Sequence, residues 1–116
     1  MIIPDIGIKK LVEDGFLPPG LTIGPSSVDL TLSDSFSWPE QELDKIIRGE
    51  SVPHKQVQKD EFVLEPNHFV LASTAESIRV PHDMAAYVEG RSSIGRSGLL
   101  IQNACFLDAG FHRQMT

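Results

Sequence analysis

Nine consecutive residues, Gly90-Arg91-Ser92-Ser93-Ile94-Gly95-Arg96-Ser97-Gly98, carry three glycines, two arginines and three serines. Glycine lets backbone N–H groups approach a ligand closely, serine hydroxyls donate, and a guanidinium makes paired charge-assisted hydrogen bonds. That is the inventory a polyphosphate needs. Further on, Asp108 in Leu107-Asp108-Ala109-Gly110-Phe111 is a carboxylate able to accept a hydroxyl hydrogen or to orient water. Its plainer reading is an aspartate that starts a turn before Ala-Gly.

Gly90 to Ser97 also fits G-x-x-x-x-G-R-S, one substitution from the P-loop pattern. A P-loop runs out of a strand and into a helix whose N-terminus holds the phosphates. Here Gly98 follows at once and a strand-like apolar run comes after it, so the P-loop reading is set aside. A glycine turn linking two strands, with arginines and serines kept for solubility, stays open on the residues alone.

The elements that must position these groups are short. In PDIGIKKLVEDG, Ile8, Leu11 and Val12 fall on one helical face, Asp5 is able to cap, and Gly15 stands where a helix ends. VDLTL alternates Val28, Leu30 and Leu32 with Asp29 and Thr31, which predicts a half-buried strand. From Pro39 to Asp60 the chain turns polar, reading as a long surface excursion with one helical turn at ELDKII. EFVLEPNHFVLAST predicts two strands about a turn at Pro66-Asn67, and ESIRVP, MAAYVEG and the run after Gly98 continue the strand rhythm, with a further turn at AGF. Short strands punctuated by glycine and proline, with one good helix, predict an all-β sandwich or barrel.

The 116 residues suit one domain, 1–116. Ten basic against 16 acidic side chains give a formal charge of −6, which argues against a nucleic-acid polymer as partner, so any phosphate must be caught locally. No apolar run approaches the roughly 20 residues that cross a bilayer, and the start lacks the pattern of a signal peptide, so a cytoplasmic protein without membrane partners is expected. Cys105 is the single cysteine, read as a small buried thiol. His54, His68, His82 and His112 lack the spacing of a helical zinc site, and the zinc-deaminase signature His-x-Glu with Pro-Cys-x-x-Cys is absent from the sequence. No zinc is expected.

Three stretches taken in order, GPSSVDLTL at 24–32, VEGRSSIGR at 88–96 and GLLIQNACFLDAGF at 98–111, resemble the dCTP deaminase family, within the wider group that shares the trimeric dUTPase fold. The resemblance runs over nearly the whole chain. It implies a distorted β-barrel or jelly-roll with one short N-terminal helix, assembled as a homotrimer with active sites at subunit interfaces. It places Arg91, Ser92, Ser93, Ile94, Gly95 and Arg96 around the triphosphate, and Gln102, Asn103 and Ala104 around the pyrimidine. Asp108 matches the acidic residue beside the deoxyribose, which positions the attacking water in dUTP-hydrolysing relatives. Asp108 and Arg96 are therefore the expected catalytic residues, and Asp29 is expected to support fold or interface.

The implied reaction is zinc-independent hydrolysis of dCTP to dUTP and ammonia, with possible further cleavage to dUMP and diphosphate. Mg²⁺ would be bound through the nucleotide and not by protein side chains. The family's general base is a glutamate ten positions past the aspartate, beyond Thr116, so the chain as written is expected to be a poor deaminase. Arg113 stands where the family commonly has a turn glycine, and would be strained if that position needed positive φ. Missing barrel strands would leave an unpaired edge. Two other functions fit the same residues: a dUTP phosphohydrolase using Asp108 and nucleotide-bound Mg²⁺, and a non-catalytic nucleotide-binding remnant.

Overall fold

The computed structural model describes residues 1–40, 43–102 and 106–116. In chain order the elements are α1 (Asp5–Glu13), β1 (Leu32–Pro39), α2 (Leu43–Ile47), β2 (His54–Gln58), β3 (Leu71–Thr74), β4 (Ile78–Arg79), β5 (Ala86–Tyr87), α3 (Ser92–Arg96), β6 (Phe106–Leu107) and β7 (His112–Arg113). They divide into two compact units, Met1–Leu30 with Glu76–Gln114 and Thr31–Ala75 with Met115–Thr116. Strands predominate among the elements, as expected of an all-β chain, yet the described residues form three separate small sheets and no closed barrel.

In the first unit α1 forms where the apolar spacing predicts it, with Ile8 buried. Pro4 is the N-cap, and its fixed φ suits the entry to a helix. Asp5 makes no capping bond: it lies inside the first turn, and its carboxylate accepts from Lys9 Nζ at 2.7 Å. The helix closes as a Schellman motif, in which Gly15 at φ +78° donates to Val12 O and Phe16 donates to Leu11 O at 2.9 Å. Phe16 O then accepts from Arg79 N at 2.8 Å, which ties the helix exit to β4. Among the described residues Ile8, Leu17, Ile78 and Val80 are this unit's buried hydrophobic side chains.

The second unit is a three-stranded antiparallel sheet in the order β2-β1-β3. Phe36 is buried on β1 and stacks on Phe62 with ring centroids 4.9 Å apart, and Trp38 tilts against the same ring at 5.6 Å. The predicted VDLTL strand is displaced: Val28 makes only an isolated bridge to Ile23, and β1 starts at Leu32, whose side chain is 60% exposed. The backbone ladder outweighs the apolar alternation here, because pairing begins with Leu32 opposite Thr74 of β3 and reaches both neighbours only at Phe36 and Ser37.

The polar excursion from Pro39 to Asp60 contains β2, an edge strand that no apolar pattern announced, together with the helical turn expected at ELDKII. The turn at Pro66-Asn67 forms, with Asn67 at φ +63° and His68 N donating to Glu65 O at 3.2 Å. Its predicted hairpin does not: residues 62–64 form no strand, and β3 pairs with β1 instead. The expected single helix is joined by the short α2 and α3.

Candidate functional site

The arginine-serine stretch lies wholly in the first unit. Arg91 is extended, and from Ser92 the chain makes one helical turn in which Ile94 N and Gly95 N both donate to Arg91 O at 3.0 Å. Ser97 ends the turn by donating its hydroxyl to Ile94 O at 2.6 Å, and Gly98 at φ +93° reverses the chain as only glycine does easily. The expected break at Gly98 is thus present, and the preceding residues are helical where a plain turn had been an open alternative. No strand follows: residues 99–102 are irregular, with Leu99, Leu100 and Ile101 exposed, and pairing resumes only at β6.

Residues 91–100 are all exposed. Among the described residues no hydrogen bond occupies the hydroxyls of Ser92 and Ser93, and no carboxylate pairs with Arg96, so these groups face water. Arg91 differs. Its Nη1 lies 3.3 Å from Asp29 Oδ2, which anchors the start of the turn to the Pro-Ser-Ser-Val-Asp-Leu segment. Asp29 is itself placed by its backbone N–H donating to Thr22 O at 3.0 Å.

The other flank is set by contact. A Cβ added at Gly90 would stand 3.0 Å from Ile101 Cβ and 3.2 Å from its Cγ1, so the missing side chain at 90 lets the turn lie against the segment that ends in Gln102. Gln102 is exposed. Asn103 and Ala104, the other two residues expected near the pyrimidine, lie outside the described residues, as does Cys105.

Asp108 follows β6 directly and is exposed. Its carbonyl accepts from Phe111 N at 3.1 Å with Gly110 at φ +82°, the φ pattern of a type II turn. Gly110 N donates to Val80 O at 3.0 Å and Val80 N donates to Phe111 O at 2.9 Å, so the turn is stitched to the strand end beside it. Among the described residues no hydrogen bond or ion pair joins Asp108 to the arginine-serine turn. Arg113 is not strained: it lies on β7 opposite Ile78, outside the positive-φ region, with its guanidinium 5.4 Å from the Phe111 ring centroid. The glycine of the expected pattern is not needed in a residue that pairs as ordinary strand.

Among the described residues no three of His, Cys, Asp and Glu are grouped to hold a metal ion. No helix of the described residues is long and apolar enough to cross a membrane. The Asp29–Arg91 pair and the Gly90–Ile101 contact are what residue types alone missed. Only the place of Asp29 in its motif hinted at the first, and nothing hinted at the second.

Residues 2–116 match the family model described as dCTP deaminase-like. The chain belongs to the dCTP deaminase-like family. Among curated relatives, a protein of Sulfurihydrogenibium sp. named "dCTP deaminase, dUMP-forming" is 38% identical over 125 residues, covering all of this chain and 69% of the relative. One from Persephonella marina with the same name is 39% identical, also covering all of this chain and 69% of the relative. A third, from Hydrogenobaculum sp., bears that name too and is 49% identical over 92 residues, covering 78% of this chain and 51% of its own length. The arginine-serine turn of this dCTP deaminase-like chain and its Asp108 turn both fall inside the matched span.

Proposed function

We propose that this dCTP deaminase-like chain acts as a dUMP-forming dCTP deaminase: dCTP and water give dUTP and ammonia, and dUTP and a second water give dUMP and diphosphate. The observation that carries this is the exposed turn from Arg91 to Arg96, whose unpaired guanidinium and serine hydroxyls match a triphosphate in a family whose relatives are named for that chemistry. Relatives named for the dUMP-forming reaction favour the two-step activity over dUTP cleavage alone.

In this reading Arg96, Ser92 and Ser93 hold phosphate oxygens, with Ile94 and Gly95 shaping the turn and Arg91 fixed by Asp29. Gln102, Asn103 and Ala104 border the base. Asp108 accepts the 3′-hydroxyl hydrogen and orients water. These residues bind and orient, and the general base is not assigned to any of them. In this reading Mg²⁺ is carried by the triphosphate, where it would neutralise phosphate charge.

A homotrimer of jelly-roll or barrel subunits in the cytoplasm completes the proposal, with residues 1–116 acting as one domain. Its support is the apolar surface around the turn. Tyr87, Leu99, Leu100, Ile101 and Phe106 are exposed in the isolated chain, and a polyphosphate site open to water on all sides is screened and weak. A second copy laid over these residues would remove both defects.

The test incubates the 116-residue chain with dCTP or dUTP and Mg²⁺, separates products by anion exchange, and titrates α,β-imido-dUTP in parallel. Analogue binding with slow formation of dUMP and ammonia from dCTP is expected, because none of these residues is assigned as the general base. Cleavage of dUTP with dCTP left intact would replace the reading by a phosphohydrolase. No turnover and no binding would overturn it for this chain.

A further inference from the structure

Gly110 is the residue whose positive φ lets the Asp108 turn close, and it has a neighbour that no motif reading singled out. A Cβ built at Gly110 would stand 2.8 Å from Cε1 and 3.0 Å from Nδ1 of His82. The imidazole therefore lies over the bare face of Gly110. His82 sits in its own turn, in which Met84 N donates to Pro81 O at 3.2 Å, and that turn follows Val80, the residue bonded through both its N–H and its carbonyl to Gly110 and Phe111. Two turns are thus joined by a pair of backbone bonds at one end and by a ring on a glycine at the other.

We infer that His82 is a positioning residue for Asp108, acting through Gly110; this rests on the reading of Asp108 as the group that receives the deoxyribose hydroxyl. The backbone bonds at Val80 fix Gly110 and Phe111, the closing half of the turn. Asp108 itself is exposed and, among the described residues, has no side-chain partner to hold its carboxylate. Its direction depends on the peptide planes of Asp108 to Gly110 keeping their orientation. A flat ring over Gly110 occupies the space into which those planes would tilt. The contact needs a planar side chain at 82 and no side chain at 110.

The experiment compares the wild-type chain with His82→Ala, His82→Phe and Asp108→Asn by two readouts that need no turnover. One is amide hydrogen exchange at Gly110 and Phe111. The other is the ratio of dissociation constants for 2′,3′-dideoxy-α,β-imido-UTP and α,β-imido-dUTP, which differ only in the 3′-hydroxyl. Wild type is expected to prefer the hydroxylated nucleotide, and Asp108→Asn to lose that preference. His82→Ala is expected to speed exchange at both amides and to reduce the preference about threefold to tenfold, the size of one hydrogen bond. Affinity for inorganic triphosphate should not change, and His82→Phe should restore the preference by restoring a ring.

Unchanged exchange in His82→Ala overturns the inference outright. Faster exchange with the hydroxyl preference intact, while Asp108→Asn loses it, leaves His82 a structural residue and overturns the positioning role. Failure of Asp108→Asn to alter the preference overturns the reading of Asp108 and the inference with it, whatever His82→Ala does.

Discussion

The two units of the chain are ordered by different means. In the second, β1 pairs with β2 over five consecutive residues and with β3 on its other side, and Phe36, Trp38 and Phe62 form an aromatic cluster. In the first, the paired strands are two residues long, and order comes from helix α1, from turns closed by Gly15, Gly98 and Gly110, and from single contacts. All the chemistry-bearing residues of the candidate site lie in this first unit. Turns can present several side chains to one ligand at little structural cost, whereas a ladder fixes backbone and buries what faces inward. Function and stability should therefore separate under mutation.

The largest expected effects come as a contrasting pair. Arg96→Ala should weaken α,β-imido-dUTP binding about 10-fold to 100-fold, the worth of hydrogen bonds between charged partners. Stability should move within about 0.5 kcal/mol, because the residue is exposed and unpaired. Phe36→Ala should do the reverse. Losing a ring that is 8% exposed and stacked at 4.9 Å costs about 3 kcal/mol by urea unfolding, with a smaller change in affinity while the protein stays folded. Equal effects of both variants on both readouts would end the distinction between the units.

What could be read from the sequence divides along the same line. Helix α1 was legible because Ile8, Leu11 and Val12 repeat locally and Gly15 supplies the φ its closing motif needs. The turns at Pro66-Asn67 and Asp108 to Phe111 were legible for the same local reason. The sheet was not. The partner of β3 is β1 and not the neighbouring residues 62–64, and β2 hides in a polar run because an edge strand needs no apolar face. In the site, residue types singled out the groups proposed to bind phosphate but not the contacts that support them. Asp29 and Arg91, Gly90 and Ile101, and Gly110 and His82 each meet through the fold, at separations no local pattern encodes.

A smaller effect would sharpen the comparison inside the first unit. The Asp29–Arg91 pair is partly exposed, with side-chain exposures of 39% and 69%, so its contribution to stability is slight. Its proposed role is to hold Arg91 at the entry to α3. Asp29→Asn should raise the dissociation constant for α,β-imido-dUTP about threefold while the unfolding midpoint barely moves. A loss of stability without a loss of affinity would make Asp29 part of the scaffold, the role its motif first suggested.

The smallest effect belongs to another aspartate pair of that unit. Asp5 and Lys9 meet at 2.7 Å on consecutive turns of α1, and the hydrogen bond and charge of Lys9 hold the Asp5 carboxyl below its ordinary value of 3.8. A carboxylate with a lowered folded-state value binds its proton less readily in the folded chain than in the unfolded one. Its contribution is then fully present above the ordinary value and fades as pH falls through the folded one. Asp5→Asn should thus lower the thermal midpoint slightly at neutral pH, and the two midpoints should converge on acidification through that window. Nucleotide affinity should stay the same at every pH where both chains are folded, because this pair joins two turns of α1, whereas Asp29 contacts Arg91 of the proposed site. A gap that persisted at the acid end would assign the effect of Asp5 to something other than its charge.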